Sequence, residues 1–167
     1  FYQFRYPQQH YPTFAAIPPL VVSSLLFIEN RHLLDGEQPL ANPAVDWPRF
    51  AMAALSQVGK VLDVQDQSAG GSTLATQLEK YRHSPYGLTH SAGEKLRQMV
   101  SASVRAYQGG PQTREARENI VRDYLNSVPL SAAPGHGEVH GLADGLRIWY
   151  GADFAEVNRL LKEKLQG

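Results

Sequence analysis

Cysteine is absent from this 167-residue chain. That excludes disulfides and thiolate metal sites, and it leaves the redox compartment undecided. Net charge is also absent, because 16 basic residues balance 16 acidic ones. Nothing therefore marks a nucleic-acid polyanion as partner. No apolar run approaches the roughly 20 residues that cross a bilayer. No internal repeat is visible, and none of the six histidines is assigned to a metal. The chain opens on Phe1 without a signal-like segment and reads as a piece of a longer protein. What is present is a globular composition, 43% hydrophobic and 19% charged, in a length that suits one domain with a core.

Residues 1–16 read as an extended lead-in. Pro7 and Pro12 remove backbone donors that a helix needs. Tyr2, Phe4 and Tyr6 alternate, as in a short strand. Pro18-Pro19 then sets a helix start, and the apolar stretch Leu20 to Ile28 ends in Glu29. A carboxylate there faces the negative end of the helix dipole, and burial would raise its pKa. Both effects suit a general acid or base, while a Glu turned to solvent fits the same pattern.

Pro39 and Pro43 mark a loop. Asp46 can cap a helix over Trp47, Pro48 and the apolar positions Phe50, Ala54, Leu55, Val58, Val61 and Leu62. Asp63 to Ala69 reads as a mobile polar loop. Gly70-Gly71 permits a sharp turn, Ser72 stands where an N-cap belongs, and a helix carrying Gln77 and Lys80 follows. Such a helix start is friendly to an anion. An ordinary loop-to-helix junction accounts for the same residues.

Further on, Ser91 caps a helix whose core stripe is Leu96, Met99, Val100 and Val104, continued by Tyr107. Gly109-Gly110-Pro111 breaks the chain, and Thr113 begins a long helix with the apolar stripe Ile120, Val121, Tyr124 and Leu125. Glu115, Arg117, Glu118 and Arg122 form its solvated face. Residues 153–166 make a final amphipathic helix with Phe154, Val157, Leu160, Leu161 and Leu165 apolar.

Four stretches, in order, resemble the signatures of peptidoglycan glycosyltransferases (glycosyltransferase family 51). Ile17 to His32 is similar to A-x-x-A-x-E-D-x-x-F, with Asn30 in place of the Asp and Leu33 in place of the aromatic. Asp46 matches the last residue of the H-x-G-x-D stretch. Gly70 to Lys80 is similar to G-G-S-T-I-T-Q-Q-x-x-K, with Ala75 and Thr76 departing. Glu94 to Gln98 is similar to R-K-x-x-E: Lys95 matches, the Arg is Glu94, and the Glu is Gln98. Ile120 to Val128 is similar to I-L-E-x-Y-L-N, and Tyr124-Leu125-Asn126 matches in full. Asn126 is expected to fix a turn by side-chain to backbone bonding. Pro134 to Ala143, with Glu138 and His140 read as structural, and Trp149-Tyr150-Gly151 continue the likeness.

The resemblance implies a mainly α, lysozyme-like helical domain over 17–167, with a small membrane-associated jaw subdomain. It implies an enzyme that polymerises lipid II into glycan strands at the outer face of the bacterial inner membrane, among other cell-wall synthesis proteins. By it Glu29 is the general base. Ser72, Gln77, Lys80, His90, Lys95, Arg97 and Gln98 form the substrate and donor-pyrophosphate side, and a divalent cation (Mg or Mn) is the cofactor sometimes described there. Gln98 cannot exchange a proton as Glu does. A degenerate domain that binds lipid-linked precursor or glycan without catalysis is therefore a second expectation. A lysozyme-like hydrolase using Glu29 as acid is a third.

Overall fold

The computed structural model describes residues 7–46, 72–83 and 91–163. The expected helix over 47–62, the polar loop after it, the alternating aromatics before Pro7, His90 and Leu165 lie outside the described residues. The chain divides into two compact units. One comprises Phe1–Leu34 and Arg117–Gly167, and the other Asp35–Ala116. Each is taken by itself.

In the first unit, helix α1 spans Pro19–Glu29 with proline at its first position, as Pro18-Pro19 predicts. Asn30 N–H returns to the Leu26 carbonyl at 3.1 Å, and Arg31 Nε donates to the Phe27 carbonyl at 3.2 Å. The Arg31 guanidinium lies 4.1 Å from the Phe27 ring centroid. Carbonyls left open at a helix end are thus met by a cation, which the dipole favours.

The long helix that follows Thr113 gives this unit residues 117–127. A hairpin comes next: β1 (Pro129–Ala133) pairs antiparallel with β2 (Gly137–His140), Leu130 opposite Val139, with an irregularity before Ala133. Two helices close the unit, spanning Leu142–Tyr150 and Phe154–Glu163. Gly151 ends the former at φ 63°, in the left-handed region that glycine tolerates best. The last helix packs on α1.

The core of this unit gathers Tyr11, Ile17, Leu26, Leu33, Val121, Tyr124, Leu125, Val139 and Ala143. Tyr11 anchors the lead-in. Its ring meets Phe154 edge-on at 5.0 Å, its hydroxyl donates to Asn158 Oδ1 at 3.1 Å, and burial pushes its phenol up to about 12. Asn126 brackets its backbone, accepting from Tyr11 N–H at 2.8 Å and donating to the Tyr11 carbonyl at 2.9 Å. The buried Asp144 carboxylate accepts from Gln8 N–H at 2.8 Å and Gln9 N–H at 3.2 Å. Asn126 does bond the backbone, as expected. Its target is a strap 115 residues away rather than a local turn.

One expectation fails on the long helix. Arg117, read as part of a solvated face, is 1% exposed and donates from Nη1 to the Leu33 carbonyl at 3.0 Å. A buried carbonyl needs a donor, and a guanidinium long enough to reach it serves. The hairpin is an addition that the sequence pattern does not foreshadow.

In the second unit, helix α2 (Leu74–His83) packs on α3 (Ala92–Ala106). Ser91 caps α3 as predicted, its hydroxyl accepting from Glu94 N–H at 3.1 Å. Pro39 to Ala44 is held by polar side chains. Thr113 Oγ1 donates to the Ala41 carbonyl at 2.7 Å, Tyr107 hydroxyl to the Leu40 carbonyl at 2.8 Å, and Asn42 Nδ2 to Ser103 Oγ at 2.9 Å.

The expected core stripe of α3 is turned outward. Leu96, Val100 and Val104 are 62%, 54% and 62% exposed. Among its described residues those buried are Gln98, Ala102 and Ala106, spaced by four along one edge. Small side chains permit close helix approach, and here that outweighs the greater apolar area of the branched residues on the other face.

Candidate functional site

Glu29 is the last residue of α1. One helical turn separates it from the buried Leu26, so it lies on the packed side of the helix and is itself half-buried. Phe27 and Ile28, the intervening residues, are strongly exposed. A half-buried carboxylate at a helix end still reaches solvent, as a group that exchanges protons with a substrate must.

The other expected site residues that the structure describes belong to the second unit. Helix α2 begins at Leu74, so the capping residue is Thr73 rather than Ser72. Thr73 Oγ1 accepts from Thr76 N–H at 3.3 Å, and Thr76 Oγ1 accepts in return from Thr73 N–H at 2.9 Å. This is a reciprocal box in which Thr76 does what a Glu or Gln usually does. Ser72 is exposed, with its hydroxyl 3.2 Å from Thr76 Oγ1. The helix start is thus partly self-satisfied rather than bare. Thr76, which departs from the family signature, carries that cap.

Gln77 and Lys80 lie three residues apart on one face of α2, both half-buried. On α3, Lys95 and Arg97 are exposed, whereas Gln98 is 8% exposed and faces the interior of the unit. Glu94, in the first turn of α3, is half-buried. The structure therefore places the cations on two packed helices and keeps the amide of Gln98 beneath the surface.

Sequence reasoning passed over Glu79. It is 1% exposed, and its Oε1 accepts from Arg82 Nη1 at 3.1 Å and from Arg105 Nε at 2.9 Å. The one available signal was a charged residue within the run Leu74, Ala75, Leu78 that α2 buries. His136 and His140 stand four residues apart, a spacing that would bring them together on a helix. Instead they occupy the hairpin, where His140 Nε2 lies 3.4 Å from Glu138 Oε2. Among the described residues no group of three or more His, Cys, Asp or Glu is gathered that could hold a metal ion. No described helix is long and apolar enough to cross a membrane.

The fold is mainly α and lysozyme-like; a half-buried carboxylate ends an apolar helix of the first unit, and cations lie along two helices of the second. The family model described as Transglycosylase matches residues 1–163, and the chain belongs to that family. Comparison with curated proteins gives no significant match.

Proposed function

We propose that this domain is a peptidoglycan glycosyltransferase that polymerises lipid II at the outer face of the bacterial inner membrane. The family match over residues 1–163 carries the reading, and the half-buried Glu29 at the end of α1 supplies its base. Glu29 takes the proton from the C4 hydroxyl of the acceptor sugar. The freed oxygen attacks C1 of the donor with inversion, and undecaprenyl pyrophosphate departs. Lys80, with Lys95, Arg97 and His90, stabilises the leaving charge, since preorganised cations act most strongly where charge develops. Ser72 and Gln77 bind polar groups of the same substrate, and Gln98 supplies amide bonds rather than a proton.

The identity and burial of Gln98 favour one second reading, a domain that binds lipid-linked precursor or glycan without turnover. Labelled lipid II with wild type and Glu29→Gln separates the two. The polymerase reading expects glycan chains from wild type and at least a ~100-fold loss in the variant, the usual scale of positioned base catalysis. Tight binding with no chains from either protein would establish the binding domain instead.

A further inference from the structure

Glu79 sits at the contact of α2 with α3, its side chain 2% exposed, while the side chains of Arg82 and Arg105 that bond it are 37% and 52% exposed. Burying a carboxylate is poor economy for stability alone. Replacing such a group by an apolar one of similar size is often neutral or stabilising. The best-attested use of a buried polar contact is to select one register among several that apolar packing would allow.

The two helices offer that ambiguity. Ala102 and Ala106 are buried on α3 at a spacing of four, and Leu74, Ala75 and Leu78 are buried on α2, which packs on it. Sliding α3 by one turn would still bring one alanine to the other's place, yet would move every side chain by about 5.4 Å. Only one register places Arg105 Nε at 2.9 Å from Glu79.

We propose that Glu79 is a positioning residue. Its carboxylate locks α3 against α2 through Arg105, and so fixes the height of Gln77 and Lys80 relative to Lys95, Arg97 and Gln98. The inference rests on reading these residues as the donor-pyrophosphate side. Glu79 touches no substrate in it. It acts because a misplacement of about an ångström at such a site costs on the order of 10²-fold.

The test uses the full chain, with inorganic pyrophosphate titrated calorimetrically and melting followed in parallel. Glu79→Leu is expected to melt at or above the wild-type temperature while its pyrophosphate affinity falls by about tenfold or more. Arg105→Lys, which keeps a cation for Glu79, is expected to retain most of the affinity. Glu79→Gln should fall between them. If Glu79→Leu does not fold, Glu79→Gln decides. Weaker pyrophosphate binding at unchanged melting supports the lock, and unchanged binding overturns it. A folded Glu79→Leu that binds pyrophosphate as wild type does would make Glu79 merely structural and leave the proposed function intact. Wild type that binds no pyrophosphate would remove the donor-site reading, and the lock with it.

Discussion

In the first unit side chains distant in sequence hold irregular segments by their backbone: Asn126 brackets Tyr11, Asp144 holds Gln8 and Gln9, and Arg117 reaches the Leu33 carbonyl. In the second unit α2 and α3 are joined from side chain to side chain, Glu79 to Arg105. The first arrangement fixes where an irregular chain segment lies, because main-chain groups cannot rotate away from their partner. The second fixes how two regular helices are aligned, because Arg105 meets the Glu79 carboxylate in one register. An irregular segment is held at several backbone groups along its length, whereas two rigid helices can be aligned by one discriminating contact.

That contrast is exposed to substitution. The largest effect is expected at Gly141, which has φ 79° and would place a Cβ 2.6 Å from the Asn126 carbonyl oxygen. Gly141→Ala should cost about 3 kcal/mol through backbone strain and overpacking at the very residue that brackets Tyr11. Denaturant unfolding measures it. A cost near zero would show that the bracket yields easily and would break the comparison.

Thr76→Val in the second unit should cost about 1.5 kcal/mol, since it removes the reciprocal cap at a buried helix start. Exchange of the amides of α2 is the sharper readout, because the loss should be confined there. Protection lost equally across the first unit would show that the two units do not hold themselves separately.

Tyr11→Phe should cost about 1 kcal/mol for the hydroxyl donated to Asn158. It has a distinctive pH signature as well. The folded phenol is pushed from 10.0 to about 12 by burial. Its contribution is therefore fully present below the unfolded value and is lost as pH rises through the folded one. Wild type should weaken across that alkaline window, and Tyr11→Phe should weaken less.

The smallest effect is expected at Val100, which is 54% exposed on α3. Val100→Ser should change stability by no more than about 0.5 kcal/mol. A larger loss would mean that the outward stripe of Leu96, Val100 and Val104 is covered in solution.

Much of the first unit was legible in the sequence. Pro18-Pro19 marked the start of α1, and Tyr124-Leu125-Asn126 announced two buried residues and a backbone-binding amide. Both signals are local, depending on the residue type itself. What stayed hidden depends on partners far along the chain. Nothing in a charged helical face separates Arg117, whose acceptor is 84 residues away, from its solvated neighbours. Periodicity found the amphipathic character of α3 but chose the wrong side, since hydropathy ranks valine above alanine while close packing prefers the smaller residue. The cap moved from Ser72 to Thr73 because adjacent hydroxyl residues fit the pattern equally until the first helical turn is placed. The hairpin went unread because strands of five and four residues leave too little alternation. At the candidate site, Glu29 and Lys80 stood out by type and position, whereas Glu79 looked like any helix glutamate.

The strap over residues 7–11 also has a mechanical meaning. Tension applied at its amino-terminal end meets the Asp144 bonds first and the Asn126 bracket next, before it reaches α1. A pull on the chain from that side is thus delivered to the interior of the first unit, and the helix that ends in Glu29 is shielded from the load.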